Sequence, residues 1–194
     1  MDLAERRKEL NGLQKGLRTA LLSGKDHPTA IQKFLDLHGI LHSKSVASSS
    51  PWSYEDLLLN ERTESDFRTI PDGGEHSINW IVWHLSRIED VTMNLLVADR
   101  EQVFEQGGWL QKTRSPIKHT GNGTGVAVTA LLSEPIYIDA LRTYRYAVGR
   151  ATREIVKSLS PSDLQRKMTR WQLQRILDEG AVVQEGIGVV EYWG

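Results

Sequence analysis

Apolar residues recur along this chain at helical spacing. Leu10, Leu13, Leu17 and Leu21 fall at i, i+3, i+7 and i+11, a single helix stripe that Ser23-Gly24 ends. A second helix is predicted from Pro28, whose missing N–H costs nothing in a first turn. Its stripe reads Ile31, Phe34, Leu35, His38, Leu41 and His42. The Ser-rich run at 45–51 reads as a loop, and Ser53-Tyr-Glu-Asp56 as a capping box opening a short helix with Leu57 and Leu58. Pro71-Asp-Gly-Gly74 marks a turn before the clearest helix, which Ser77 N-caps. There Ile81, Leu85, Ile88, Thr92 and Leu95 share the face read as buried, with His84 and Val91 beside them.

Gly107-Gly108 closes that region. Residues 111–133 are predicted to form a long irregular, lid-like connection holding Gly121-Asn-Gly-Thr-Gly125. Ser133 and Pro135 start another long helix, buried along Leu141, Tyr144, Val148, Ile155 and Leu159. Ser160-Pro-Ser-Asp163 caps a short helix, and Trp171, Ile176 and Leu177 mark one more before Gly180. No repeat and no series of alternating strands is visible, so the fold class is all-α. Val182-Val183 and Gly188–Trp193 put apolar residues where chain ends are usually polar and frayed. Such a segment packs back on the helices, docks on another chain, or precedes an element that has been lost.

Composition narrows the function classes. The 194 residues carry 24 Lys plus Arg against 25 Asp plus Glu, a net charge of −1, without the basic excess that nucleic acid or an anionic membrane calls for. With no cysteine, disulfides, thiolate metal sites, Fe–S clusters and cysteine nucleophiles are excluded. The charged N-terminal stretch is unlike a signal peptide, and no apolar run approaches the roughly 20 residues of a membrane helix. These features predict a soluble, cytoplasmic protein forming one domain over 1–194, with an N-terminal helix at 1–24, a core at 28–180 and an apolar C-terminal segment at 181–194.

Six histidines carry the candidate chemistry. His38 and His42, four apart, project from the same helix face, and His84 lies on the face read as inward. If the two helices pack together, three imidazoles converge and can bind Zn²⁺ or Ni²⁺ with one position open for substrate. Glu89 and Asp90 are then second-shell or auxiliary ligands, and Trp80 and Trp83 pack the core or wall a pocket. His27 and His76 read as capping or surface residues, and His119 as solvated in its Gly-rich loop. That loop lacks the Lys-Ser/Thr and the preceding strand of a phosphate loop, so its glycines read as flexible. Arg142, Arg145, Arg150 and Arg153 read as a solvated basic face. No Gly-x-Ser-x-Gly elbow singles out a nucleophile.

The segment Ile70-Pro-Asp-Gly-Gly-Glu-His-Ser-Ile-Asn-Trp-Ile-Val-Trp-His-Leu-Ser-Arg-Ile-Glu-Asp90 resembles the DinB-like superfamily, which includes DUF664-type proteins. The later Gly-rich connection and the helix Leu141-Arg-Thr-Tyr-Arg-Tyr-Ala-Val extend the similarity over most of 28–180. The resemblance implies an up-down-down-up four-helix bundle, often a homodimer, with a divalent ion on three histidines. His84 matches the first of these. The other two would form a His-x-x-x-His pair on the last helix, but no histidine follows His119. The last helix is then missing or swapped, and His38 and His42 stand in for the absent pair. The function implied is that of a metal-dependent protein acting on a small molecule, as a thiol-dependent transferase or a hydrolase. The alternative is a metal-free, non-catalytic helical module for oligomerisation or partner binding.

Overall fold

Asp2 opens the first helix with a full capping box: its side chain accepts from the Glu5 N–H, and Glu5 reaches back to the Asp2 N–H. The computed structural model describes residues 2–193, with helices and connections and no strand among the described residues. None of these helices is long and apolar enough to cross a membrane. The chain divides into two compact units, one of residues 2–60 with Arg153–Arg166, the other of residues 61–152 with 167–193.

In the first unit, α1 (Leu3–Ser23) packs along α2 (His27–Leu41), and α3 (Tyr54–Leu59) follows. The leucine stripe of α1 is shallow. Leu10, Leu13 and Leu17 are half-buried, Leu21 is exposed, and α1 has no fully buried residue. Asp26 caps α2 by accepting from the Thr29 N–H, with Pro28 in the first turn as expected. Its buried face is Ala30, Leu35, His38, Gly39 and Ile40. Leu41, expected in the stripe, is exposed because the helix ends there and His42 turns into extended backbone. Ser53 caps α3 as predicted, yet Leu57 and Leu58 face outward, while Glu55 is buried. Arg153 returns to this unit, its guanidinium donating to the Leu35 carbonyl at 2.7 Å.

The second unit begins with α4 (Glu64–Arg68), whose Arg68 donates to the carbonyls of Ser133, Glu134 and Ile136. Next comes α5 (Ile78–Asp90), N-capped by Ser77 as predicted, and its burial corrects the sequence reading. Ile81 and Leu85 are exposed, and the buried face is Asn79, Val82, Trp83, Ser86, Arg87 and Asp90. Polar residues can line that face because they are bonded. Asp90 accepts from the Val103 and Phe104 N–H groups, from Asn94 and from the Tyr144 hydroxyl at 2.7 Å, and it pairs with Arg87 at 3.3 Å. Arg87 also donates to Gln102 and to the Tyr144 oxygen. Burial pushes the Tyr144 phenol well above its usual range, so the ring keeps the proton it donates.

A π-helical stretch, Val91–Val97, continues from α5. The region expected to be irregular at 111–133 instead contains helix. After α6 (Val103–Gln106), α7 (Trp109–Thr113) and α8 (Val126–Ser133) leave only 114–125 as a loop. Ser133 therefore ends a helix, and the long α9 (Ile138–Ser158) starts five residues later than the predicted Ser133 start, burying Leu141, Tyr144, Val148 and Ile155 as expected. A 3-10 turn at Asp163–Gln165 precedes α10 (Arg170–Asp178) and α11 (Ile187–Trp193). The apolar C-terminal segment packs back on helices of its own unit. Ala181, Val182 and Val190 form a core with Val91, Leu95, Leu96 and Ile176, against which Trp193 packs.

Candidate metal centre

Helical spacing makes neighbours of His38 and His42, and the structure keeps them so. Their rings stack 4.2 Å apart at 23°, and Phe34 stacks on the other side of His38 at 5.7 Å. Both histidines are buried, and the His42 N–H donates to the His38 carbonyl as the helix closes. From the first turn of α3, Glu55 places a carboxylate oxygen 4.0 Å from Nδ1 of His42. Glu89, the penultimate residue of α5, is half-buried and has Arg145 4.0 Å from its carboxylate.

His38 and His42 lie in one unit and offer two buried imidazoles that could hold a metal ion. Two imidazoles presented from one helix face suit a first-row divalent ion. Sequence reasoning placed the two histidines together and gave Glu89 an auxiliary part.

The structure gives His84 different company. Its ring is half-buried, lies flat against Trp80 at 4.7 Å and 10°, and places Nδ1 2.7 Å from the Thr120 carbonyl. A carbonyl only accepts, so Nδ1 carries the hydrogen and Nε2 the lone pair. Among the described residues, His84 belongs to no group of three or more candidate metal ligands. Asp90, expected beside the ion, belongs to the buried Arg87–Tyr144 network. Trp80 lies between the rings of His76 and His84, whereas Trp83 is sealed among Phe104 and Tyr144.

Three successive carbonyls explain why α5 bears Trp83, His84 and Arg87. Arg87 Nε donates to Lys118, Trp83 Nε1 to His119, and His84 Nδ1 to Thr120. Thr120 in turn donates its N–H to the Ala181 carbonyl at 2.8 Å. The Trp-His-x-x-Arg run thus straps the 118–120 segment to the helix. His119 Nδ1 meanwhile accepts from the Gly121 N–H.

Burial lowers the His84 pKa below the usual imidazole value, and nearby His76 pushes the same way, against the pull of the Thr120 carbonyl. His119 is lowered too, first by burial and then by Arg87, with Glu185 opposing. The unfolded chain therefore takes up protons that the folded chain refuses as the pH falls through about 6.5. This contribution is complete above that pH and is lost below it. Urea-unfolding free energy is expected to fall between about pH 7.5 and pH 5.5, and more gently in His84→Gln. Identical slopes for the two proteins would remove His84 from the account.

The described residues are all-α, with a buried pair of histidines that could hold a metal ion. The chain is a member of the DinB superfamily, whose family model matches residues 52–184. No curated protein matches it. The matched stretch contains Glu55, His84 and Glu89 but starts beyond His38 and His42.

Proposed function

We propose that this DinB-superfamily protein holds one divalent ion, Zn²⁺ or Ni²⁺, on His38 and His42 and acts on a small molecule, as a thiol-dependent transferase or a hydrolase. The observation that carries this reading is the pair of buried imidazoles stacked 4.2 Å apart. A divalent ion bound there supplies Lewis acidity, and a position not taken by the protein is left for a substrate donor. The chain's own residues do the positioning. The four-residue spacing on α2 presents both imidazoles together, and Phe34 backs the His38 ring.

Metal analysis of untagged protein tests this. About one divalent ion per chain is expected, together with saturable Zn²⁺ uptake by the stripped protein. His38→Ala and His42→Ala should each abolish stoichiometric binding, while His84→Ala keeps it. A protein that takes up no Zn²⁺, or one that loses it in His84→Ala but not in His42→Ala, would overturn the assignment. In the first case the non-catalytic helical module is the better reading.

A further inference from the structure

We infer that Glu55 is a positioning residue for this centre: its carboxylate holds the Nδ1 side of His42 and so turns Nε2 toward the ion. The inference rests on the metal reading above. Charged side chains are rarely buried without a task, yet the side chains of Glu55 and His42 are only 4% and 3% exposed. Glu55 Oε2 lies 4.0 Å from His42 Nδ1, the ring atom that a carboxylate occupies when the opposite nitrogen binds a metal.

Local structure fixes this approach from both sides. Ser53 caps α3 by accepting from the Asp56 N–H at 2.9 Å, which places Glu55 in the first helical turn. The Asp56 carboxylate accepts from the Lys44 N–H, also at 2.9 Å, and so ties the start of α3 to the strand of chain that leaves His42. His42 is itself pinned by its N–H bond to His38. The remaining gap exceeds hydrogen-bond length by about 1 Å, which rotation of the flexible glutamate side chain can close. Ion binding at Nε2 makes the Nδ1–H a stronger donor and favours that closure.

Stripped protein titrated with Zn²⁺ against a competing chelator, and with Co²⁺ for its visible absorption, tests the role. Glu55→Gln keeps the shape and an acceptor but not the charge, and Glu55→Leu removes both. The dissociation constant for Zn²⁺ should rise about 10- to 100-fold in Glu55→Gln and further in Glu55→Leu, with a changed Co²⁺ spectrum. Urea unfolding of the metal-free proteins should not follow that order, because a buried carboxylate replaced by an apolar group of similar volume is often neutral or stabilising. If the wild type binds Zn²⁺ and both variants match its affinity and spectrum, the role of Glu55 is wrong while the centre survives. A wild type that binds no ion overturns the centre itself, and this inference with it. Affinity losses that simply track metal-free stability would reduce Glu55 to packing.

Discussion

Asp90→Asn is expected to destabilise the folded chain by about 3–5 kcal/mol, the usual cost of breaking a buried charge pair from one side. Asp90 and Arg87 are 0% and 1% exposed, so water cannot take over from the missing carboxylate. Both Asp90 oxygens are committed. Oδ1 accepts from Val103 N–H and Asn94, Oδ2 from Phe104 N–H, the Tyr144 hydroxyl and Arg87. An amide at this position must aim its NH₂ at groups that are themselves donors. The penalty then includes at least one unsatisfied buried N–H and a guanidinium without its counter-charge. Against a total stability of about 5–15 kcal/mol, such a loss leaves a marginal protein. Urea unfolding at neutral pH gives the number. Adding Arg87→Leu should cost less than the sum of the two single changes, because the stranded cation goes with it. Additive losses, or an Asp90→Asn cost below about 1 kcal/mol, would show that the network contributes little to stability.

That network also explains why the sequence misleads on α5. Apolar counting puts Ile81 and Leu85 inside, but they are 44% and 49% exposed. The inward positions include Asn79, Arg87 and Asp90, whose partners at 133 for Asn79 and at 102–104, 118 and 144 for the other two are distant in sequence. Where burial is apolar, as along Leu141, Tyr144 and Val148 of α9, the stripe is legible. Caps are legible for the same local reason: Ser53 and Ser77 need only the N–H three residues ahead.

The candidate site divides along the same line. His38 and His42 are visible as an i, i+4 pair because one helix alone makes them neighbours. Glu55 gives no signal, since an acid in a first helical turn is commonplace and favourable for the helix dipole alone. Its burial is a consequence of packing. The ligand role that the DinB resemblance gives His84 rests on a match to a motif, and its Nδ1 is committed to a carbonyl 36 residues further on. The pair His38–His42 lies outside the family match, so its case rests on geometry.

The Gly-rich loop carries the second large effect. Its glycines read as flexible in the sequence, but the structure shows a close backbone clasp. Gly123 adopts φ +73°, and a Cβ there would stand 2.4 Å from both the carbonyl carbon and the oxygen of Glu185 and 2.6 Å from Gly186 N. Gly186 presents the reciprocal surface, where a Cβ would meet the Asn122 oxygen at 2.6 Å. These neighbours are backbone atoms, which cannot swing aside. The left-handed conformation alone costs a residue with a Cβ about 1–2 kcal/mol. Prying two backbones apart adds a comparable amount, so Gly123→Ala should destabilise by about 2–4 kcal/mol. Gly125→Ala is the control in the same loop: its φ is −79° and nothing lies within 4 Å of the added methyl. Gly125→Ala should leave stability within about 0.5 kcal/mol of wild type. Because the clasp joins the 118–120 strap to the C-terminal segment, Gly123→Ala should also speed amide hydrogen exchange at Thr120, whose N–H is bonded to the Ala181 carbonyl. Equal stabilities for the two alanine variants would mean that the loop yields where these contacts say it is held.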